Sequence, residues 1–459
     1  MGQPEVVVQS ERKRSKNFDE VSLGYPKKLA LEEARRALQC LKPGESGGCP
    51  LGVDIPGFVR ALSENHVVEA LAKIREQNPL PSVCGRVCTA PCEISSVRDE
   101  AGAQNFVPLP GIRALERFAA DFGKPKFAPR KAQIRAGKKA AVVGSGPAGL
   151  SAAVSLAQKG YRVTVFESFD QPGGVLRYGI PSFRLPRKVL DEEIQEIKLL
   201  GVEFKTNCYA GKSINLTDLS TQGFEVILLA TGAGVPRLQD FPGVNLGGVY
   251  YGEEFLLRLD QARRQREKDT DFRLGSRVVV LGSQYLALDC ARAALRLGKQ
   301  VTWVSPEALE DKKVIPEESV YAAQEGVHIE ALVKPLEIVG NEQHFARAVK
   351  CVRLDYADTR ATGHWELTPV PNSDFVLEAD SVIVAMGHAP NSLIKRDVAQ
   401  LKVNDDGTIW TDPGDSTTSL RGVFACGSVV TNAAAVVEAM ASGKKAAEHI
   451  DTYLRSKSR

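Results

Sequence analysis

"KKAAVVGSGPAGLSAAVSLAQKGYRVTVFES", residues 138–168, decides the fold. An apolar run ends in a glycine-rich turn, a segment with helical spacing follows, and a second apolar run closes the unit within about 30 residues. Such an order is a parallel β-α-β unit. Gly144 stands at the tight turn and Gly146 where backbone must approach a pyrophosphate. Pro147 and Ala148 then open the helix, and Gly149 stands where helix packs on strand. The first amides of that helix point toward the phosphates. Glu167, 23 residues after Gly144, ends the second strand and can accept a hydrogen bond from an adenosine ribose.

The plan recurs in "RVVVLGSQYLALDCARAALRLGKQVTWVS", residues 277–305. Gly282 is the tight-turn glycine and Ala287 the small residue that lets helix meet strand, but Gln284 replaces the glycine beside the pyrophosphate. A glutamine side chain there puts several heavy atoms where phosphate oxygens should lie. The second strand ends Val304-Ser305-Pro306-Glu307, with no guanidinium for a 2′-phosphate; Glu307 would repel one, yet could bind the 2′-hydroxyl of NAD. The expectation is a second site that is lost or takes NAD(H), with NADP(H) disfavoured. NADPH is then expected not to reduce a bound flavin, and NADH to do so slowly or not at all.

A chain of 459 residues, 43% apolar and 25% charged, has room for two or three cores of ordinary globular composition. A formal charge of +3 argues against bulk binding to nucleic acid or to an anionic membrane. Arg263, Arg264, Arg266 and Lys268 are interleaved with Glu267 and Asp269 and read as a solvated helix face. No apolar core follows Arg12, Lys13, Arg14 and Lys16, so a secretory signal is not expected. Ala140–Ala157 has glycines and a proline at turn spacing, which is strand, loop and helix rather than a membrane span. A cytoplasmic protein without membrane insertion is expected.

Five of nine cysteines, Cys40, Cys49, Cys84, Cys88 and Cys92, fall in the first hundred residues. In a reducing compartment grouped cysteines are more often ligands than disulfides. The x3 spacing of Cys84, Cys88 and Cys92 is no zinc-finger pattern, whereas iron–sulfur clusters accept ligands from remote segments. An iron–sulfur cluster, zinc and plain structural thiols all remain open on the cysteines alone.

Further stretches carry a resemblance. "FESFDQPGGVLRYGIPSFRLP", "LLATGA", "VIVAMGHAPN", "GVFACGSVVTNAAAVVEAMASGKKAA" and, near the N-terminus, "NPLPSVCGRVCTAPCE" are similar to successive motifs of the glutamate synthase small-subunit family. That family includes the N-terminal half of dihydropyrimidine dehydrogenase and the large subunit of the electron-bifurcating transhydrogenase. The resemblance covers about residues 28–450. It implies an α/β protein: a helical iron–sulfur domain, 1–125; a linker, 126–138; an FAD-binding Rossmann-like domain, 139–240 and 378–459; and, inserted in it, an NAD(P)-binding-like domain, 241–377.

The residues also support FAD without the name. Gly173-Gly174 lets the chain pass close to an isoalloxazine, and Ala230-Thr231-Gly232 ends a strand where the chain turns between domains. Val423–Gly427 is a strand feeding a glycine turn, and a helix expected from about Ala434 aims its positive end at a reduced flavin. Where the family has aspartate after Gly427, Ser428 stands; it can still hydrogen-bond a ribityl hydroxyl. His388 reads as a structural loop histidine.

By the same resemblance, one family cluster draws on the positions of Ala37, Cys40, Glu45 and Ser96, which keep a single thiol, so it is expected to be absent. The other draws on Cys49, Cys88, Cys92 and Glu116, three thiols and a carboxylate, which implies one [4Fe–4S] cluster. Cys40 and Cys84 then read as structural thiols. No nucleophile or acid–base set stands out, and hydride transfer needs none. The expected function is an FAD and iron–sulfur electron-transfer subunit that works with a redox partner subunit. A self-sufficient NAD(P)H-oxidising subunit and a redox-inactive scaffold are the alternatives.

Overall fold

The computed structural model describes residues 4–41, 48–95, 111–124, 137–265, 274–308, 316–359, 364–391, 393–432 and 435–457. Lys139–Val143 is buried at every residue but its first, as a strand covered on both faces must be. It is the middle of a five-stranded parallel sheet. The order is Val423–Ala425, Phe224–Leu229, Lys139–Val143, Arg162–Phe166, Glu203–Lys205. Helix Pro147–Gln158 makes the first crossover, and the long helix Val436–Ser456 packs against it.

A second five-stranded parallel sheet is built the same way around Arg277–Leu281. Its order is His328–Ala331, Gln300–Ser305, Arg277–Leu281, Ser381–Val384, Val249–Tyr251. Antiparallel strands Val333–Gly340, Ala346–Thr359, His364–Pro369 and Phe375–Glu378 are added between its last two parallel strands in the chain. The chain crosses between the two units at a two-stranded link, where Val235 pairs with Ala389 and Pro236 with His388.

One expected boundary is corrected here. The return to the FAD-binding unit was placed at residue 378, but Ser381–Val384 pairs with Arg277–Leu281 and so belongs to the second sheet. Its run of buried apolar residues suits either sheet, and the order of strands decides between them. The helix expected from about Ala434 spans Val436–Ser456, with Ala435 as N-cap and the Glu438 carboxylate accepting from the Ala435 amide at 3.0 Å. Ala434 itself, Glu45, Ser96 and most of the expected linker lie outside the described residues.

Helices Lys27–Leu38, Ile55–Ser63, Val67–Arg75, Pro81–Val87, Pro91–Ser95 and Ile112–Phe122 form the N-terminal region. Their apolar faces share one core with the first sheet, where Phe58, Leu80 and Cys84 join Leu150, Leu176 and Met440. The N-terminal region is thus packed onto the first sheet rather than tethered to it. No helix among the described residues is long and apolar enough to cross a membrane.

Candidate functional site

Four segments meet at the carboxyl ends of the first sheet's strands, where open parallel sheets place their ligands. A Cβ on Gly144, whose φ is 105°, would lie 2.4 Å from the Ala230 carbonyl oxygen, so the first turn abuts Ala230-Thr231-Gly232. One on Gly174 would lie 2.7 Å from the Gly146 Cα, and one on Gly427 2.8 Å from the Ala148 Cβ. Gly173 donates its amide to Ser145 Oγ at 2.9 Å, and Gly427 donates to Ser442 Oγ at 3.0 Å. Ser428 opens the short helix Ser428–Thr431. Close approach, not side-chain chemistry, explains the glycines.

The space left between these segments suits FAD. At Gly146 an added Cβ would meet no atom within 4 Å, and no side chain caps helix Pro147–Gln158. Its first-turn amides, beginning at Ala148 because Pro147 has none, are open to a pyrophosphate. At Gly149 the added Cβ would sit 2.0 Å from the Gly144 carbonyl oxygen, so helix and turn touch there. The Thr231 hydroxyl is buried with no hydrogen-bond partner among the described residues, a polar group that a cofactor can satisfy.

Glu167 is more committed than its sequence position implies. Its carboxylate accepts from the Ser145 amide at 3.0 Å, from the Ser145 hydroxyl, from Ser168 Oγ at 3.0 Å and from the Phe169 amide at 2.9 Å. Those bonds take all the lone-pair sites of a carboxylate. A ribose hydroxyl must displace one of them, and the Ser168 hydroxyl, which rotates, is the easiest to move. Ser145 was missed from sequence: its hydroxyl joins Glu167 to Gly173, a role that only the folded turn creates.

Three N-terminal thiols, Cys49, Cys88 and Cys92, lie within reach of the charge of Glu116. Cys88 ends helix Pro81–Val87 and Cys92 lies in helix Pro91–Ser95; both are buried, and Cys49 is half-buried. Burial pushes the Cys88 thiol up to about 12, with Glu116 and Cys49 adding to the rise. Cys92 is pushed up by burial, and by the charges of Glu93, Cys88, Cys49 and Glu116 as well. Burial raises Cys49, and Glu116 raises it further. Glu116, on helix Ile112–Phe122, is itself raised to about 7 by burial, against the opposing hydrogen bond that Asn78 donates at 2.6 Å. The charge of Glu116 thus reaches Cys49, Cys88 and Cys92, and that of Cys49 reaches the other two thiols.

That donor set suits an iron–sulfur cluster. No group of three or more His, Cys, Asp or Glu among the described residues is placed to hold a single metal ion, whereas cluster ligands stand around several irons. Ligation requires deprotonated thiols, so loading them must expel protons that burial now holds on the sulfurs. Cys84 feels the charges of Glu116, Cys88 and Cys49 too, but it is fully buried, with its Sγ 3.6 Å from the Met440 Sδ of the long C-terminal helix. The Cys40 Sγ lies 3.9 Å from the Arg36 carbonyl oxygen.

The second turn repeats the first in backbone. Gln284 caps helix Tyr285–Arg296 at φ −107° and ψ −178°, close to the −70° and −176° of Gly146. The glutamine side chain is exposed and unstrained, so it stands in solvent rather than packed into the turn. Gly282 again abuts the neighbouring strand, its added Cβ lying 2.1 Å from the Ala385 carbonyl oxygen and 3.2 Å from the Ala287 Cβ. Ser283 donates to Glu307 at 3.0 Å, the counterpart of Ser145 and Glu167. His388 Nδ1 lies 3.6 Å from the Glu253 carboxylate at the same edge of the sheet.

Residues 138–443 match the family model of pyridine nucleotide-disulphide oxidoreductases. Residues 14–126 match that of dihydropyrimidine dehydrogenase domain II, 4Fe-4S cluster. The chain is 32% identical to the glutamate synthase [NADPH] small chain of Azospirillum brasilense, over 97% of this chain and 93% of that protein. It is 35% identical to the NADP(+)-dependent formate dehydrogenase subunit beta of Moorella thermoacetica, over 89% of this chain but only 59% of the longer relative. The structure of Mycobacterium tuberculosis FprA in complex with NADPH shares the fold, with a TM-score of 0.57 at 16% identity over 70% of this chain and 86% of that one. The expectation that NADP(H) is disfavoured does not fit these relatives, both of which carry NADP(+) or NADPH in their names. With its flavin-type turn, its N-terminal thiols and this kinship along nearly all its length, the chain belongs to the glutamate synthase small-subunit family and is an FAD-dependent oxidoreductase.

Proposed function

We propose that this chain is the FAD and iron–sulfur electron-transfer subunit of a multi-subunit oxidoreductase, passing electrons between flavin, one [4Fe–4S] cluster and a partner subunit. The observation that carries the reading is that the charge of Glu116 reaches Cys49, Cys88 and Cys92 alike, on helices and turns that share a core with the flavin-binding sheet. The positions of the other family cluster, Ala37, Cys40, Glu45 and Ser96, offer one thiol.

In this reading Gly144, Gly146, Gly149 and the amides after Pro147 hold the pyrophosphate of FAD. Glu167 takes the adenosine ribose, and Gly173, Gly174, Thr231, Gly232, Gly427 and Ser428 line the flavin half. Bound there, FAD supplies the exchange between two-electron hydride transfer and single-electron transfer. The protein contributes position and field: uncapped helix amides for negative charge, and buried walls that keep water from the reacting edge.

A self-sufficient NAD(P)H-oxidising subunit is the second reading, favoured by the Ser283–Glu307 contact that repeats the flavin turn. Stopped-flow bleaching of the flavin band separates the two. Rapid reduction of the isolated chain by NADH or NADPH would establish the second. Flavin and iron–sulfur absorption with slow or no bleaching would support the first, and a colourless protein would sink both.

A further inference from the structure

The two sheet units are joined by only two chain crossings, a link that by itself would let one unit swing on the other. The segment Pro181–Leu185, from the flavin-binding unit, closes that freedom. Phe183 has no exposure and lies in the core of the second unit with Phe255, Leu288 and Trp303. The guanidinium carbons of Arg292 and Arg296 stand 4.9 and 4.0 Å from its ring centroid. Val21, just before the strand Ser22–Gly24 that pairs with Val7–Val8, donates its amide to the Phe183 carbonyl at 2.9 Å and enters the same core.

Arg184 completes the contact. It donates to Asp289 at 2.7 Å, lies 3.5 Å from Glu318, and stacks 4.6 Å from the ring centroid of Tyr285. Tyr285 and Asp289 belong to the helix that begins at the second turn, and the side chains of Arg184 and Asp289 are 4% and 2% exposed. Two further pairs tie the units together, Arg187 to Asp260 at 2.7 Å and Arg264 to Asp170 at 2.6 Å. A side chain from one unit is thus part of the other unit's core, and a desolvated ion pair fixes the rotation about it.

We propose that Phe183 and Arg184 are positioning residues that hold the second dinucleotide-binding unit in one orientation against the flavin-binding unit, so that the two clefts work in the arrangement seen and neither swings. The lock concerns two folded units and stands whether or not the second turn holds a nucleotide. Spin labels on non-canonical residues at exposed Lys212 and Val376, one in each unit, read the distance between them. A single narrow distribution, unchanged by NADH and by NADPH, is expected for the holoenzyme. A second population under any of these conditions overturns the proposal. Phe183→Ala and Arg184→Met are expected to broaden the distribution while retaining flavin. If either folds with flavin bound and stays narrow, the lock is not where it has been placed. Should both fail to fold, Arg184→Lys, which keeps the charge and loses the planar fork, takes their place with the same reading.

Discussion

At Gly146 the first carbon of a new side chain would touch nothing, and the backbone there is extended and open to any residue. Gly146→Val should therefore leave the apoprotein's melting temperature almost unchanged while yielding protein without flavin, as absorbance after gel filtration would show. Gly149→Ala is the contrast: its methyl would press the Gly144 carbonyl oxygen at 2.0 Å, a steric cost of about 1–3 kcal/mol that denaturant unfolding would read. Among the thiols, Cys88→Ala should lose the iron. Cys84→Ala should keep it and cost about 1 kcal/mol of packing against Met440. Equal iron loss from both would undo the assignment. Gly144, Gly149 and Gly174 were legible in the sequence because close backbone approach admits little else. Ser145 was not, since its hydroxyl acquires its role from Glu167 and Gly173, which only folding brings near. Gln284 takes nearly the backbone of Gly146 with its side chain exposed, so the turn was legible as a dinucleotide turn, and whether the side chain obstructs a pyrophosphate is read by the flavin-bleaching test.

Helix Val436–Ser456 lies on helix Pro147–Gln158 at Gly443, where an added Cβ would fall 2.1 Å from the Ala148 carbonyl oxygen. Gly443→Ala should push the helices apart at the residue that opens the flavin turn. The expected outcome is a loss of about 1–3 kcal/mol in stability together with weaker flavin retention; stability lost with flavin affinity intact would show that the helix contact does not set the turn. Both β-α-β units were legible as elements, since strand, glycine turn and helix follow at fixed spacing. Membership of Ser381–Val384 was not, because a short buried apolar strand carries no mark of the sheet it enters. Pairing with Arg277–Leu281 is settled by the order of strands, a long-range property.

Across the molecule, charge gathers where the N-terminal helix Glu11–Arg14, the flavin-binding unit and the second unit meet. Burial pushes the Glu325 carboxyl up, yet hydrogen bonds from Arg292 and Arg296 bring it below its ordinary value, and Arg14 stands 3.5 Å away. A lowered carboxyl adds stability above its unfolded value of about 4.3 and loses it as pH falls through the lower folded value. Melting temperature should thus drop steeply below about pH 4.3. Glu325→Gln, which takes the carboxylate from between Arg292 and Arg296 and leaves Arg292 only Glu318, should cost about 3–5 kcal/mol near neutrality and flatten that acid limb. Anaerobically prepared holoprotein should hold about four iron per chain; about eight would restore the second cluster. Paired entry and exit at Val235–Pro236 and His388–Ala389 make the inserted unit look like a cassette that evolution could delete with a two-residue splice. Phe183 forbids it. Removing residues 237–387 would bare that ring and Val21 to water, and the shortened chain is expected to aggregate unless Phe183 and Val21 are made polar as well. A lineage that stopped using its second nucleotide would still have to carry the unit, as ballast that keeps the flavin half soluble.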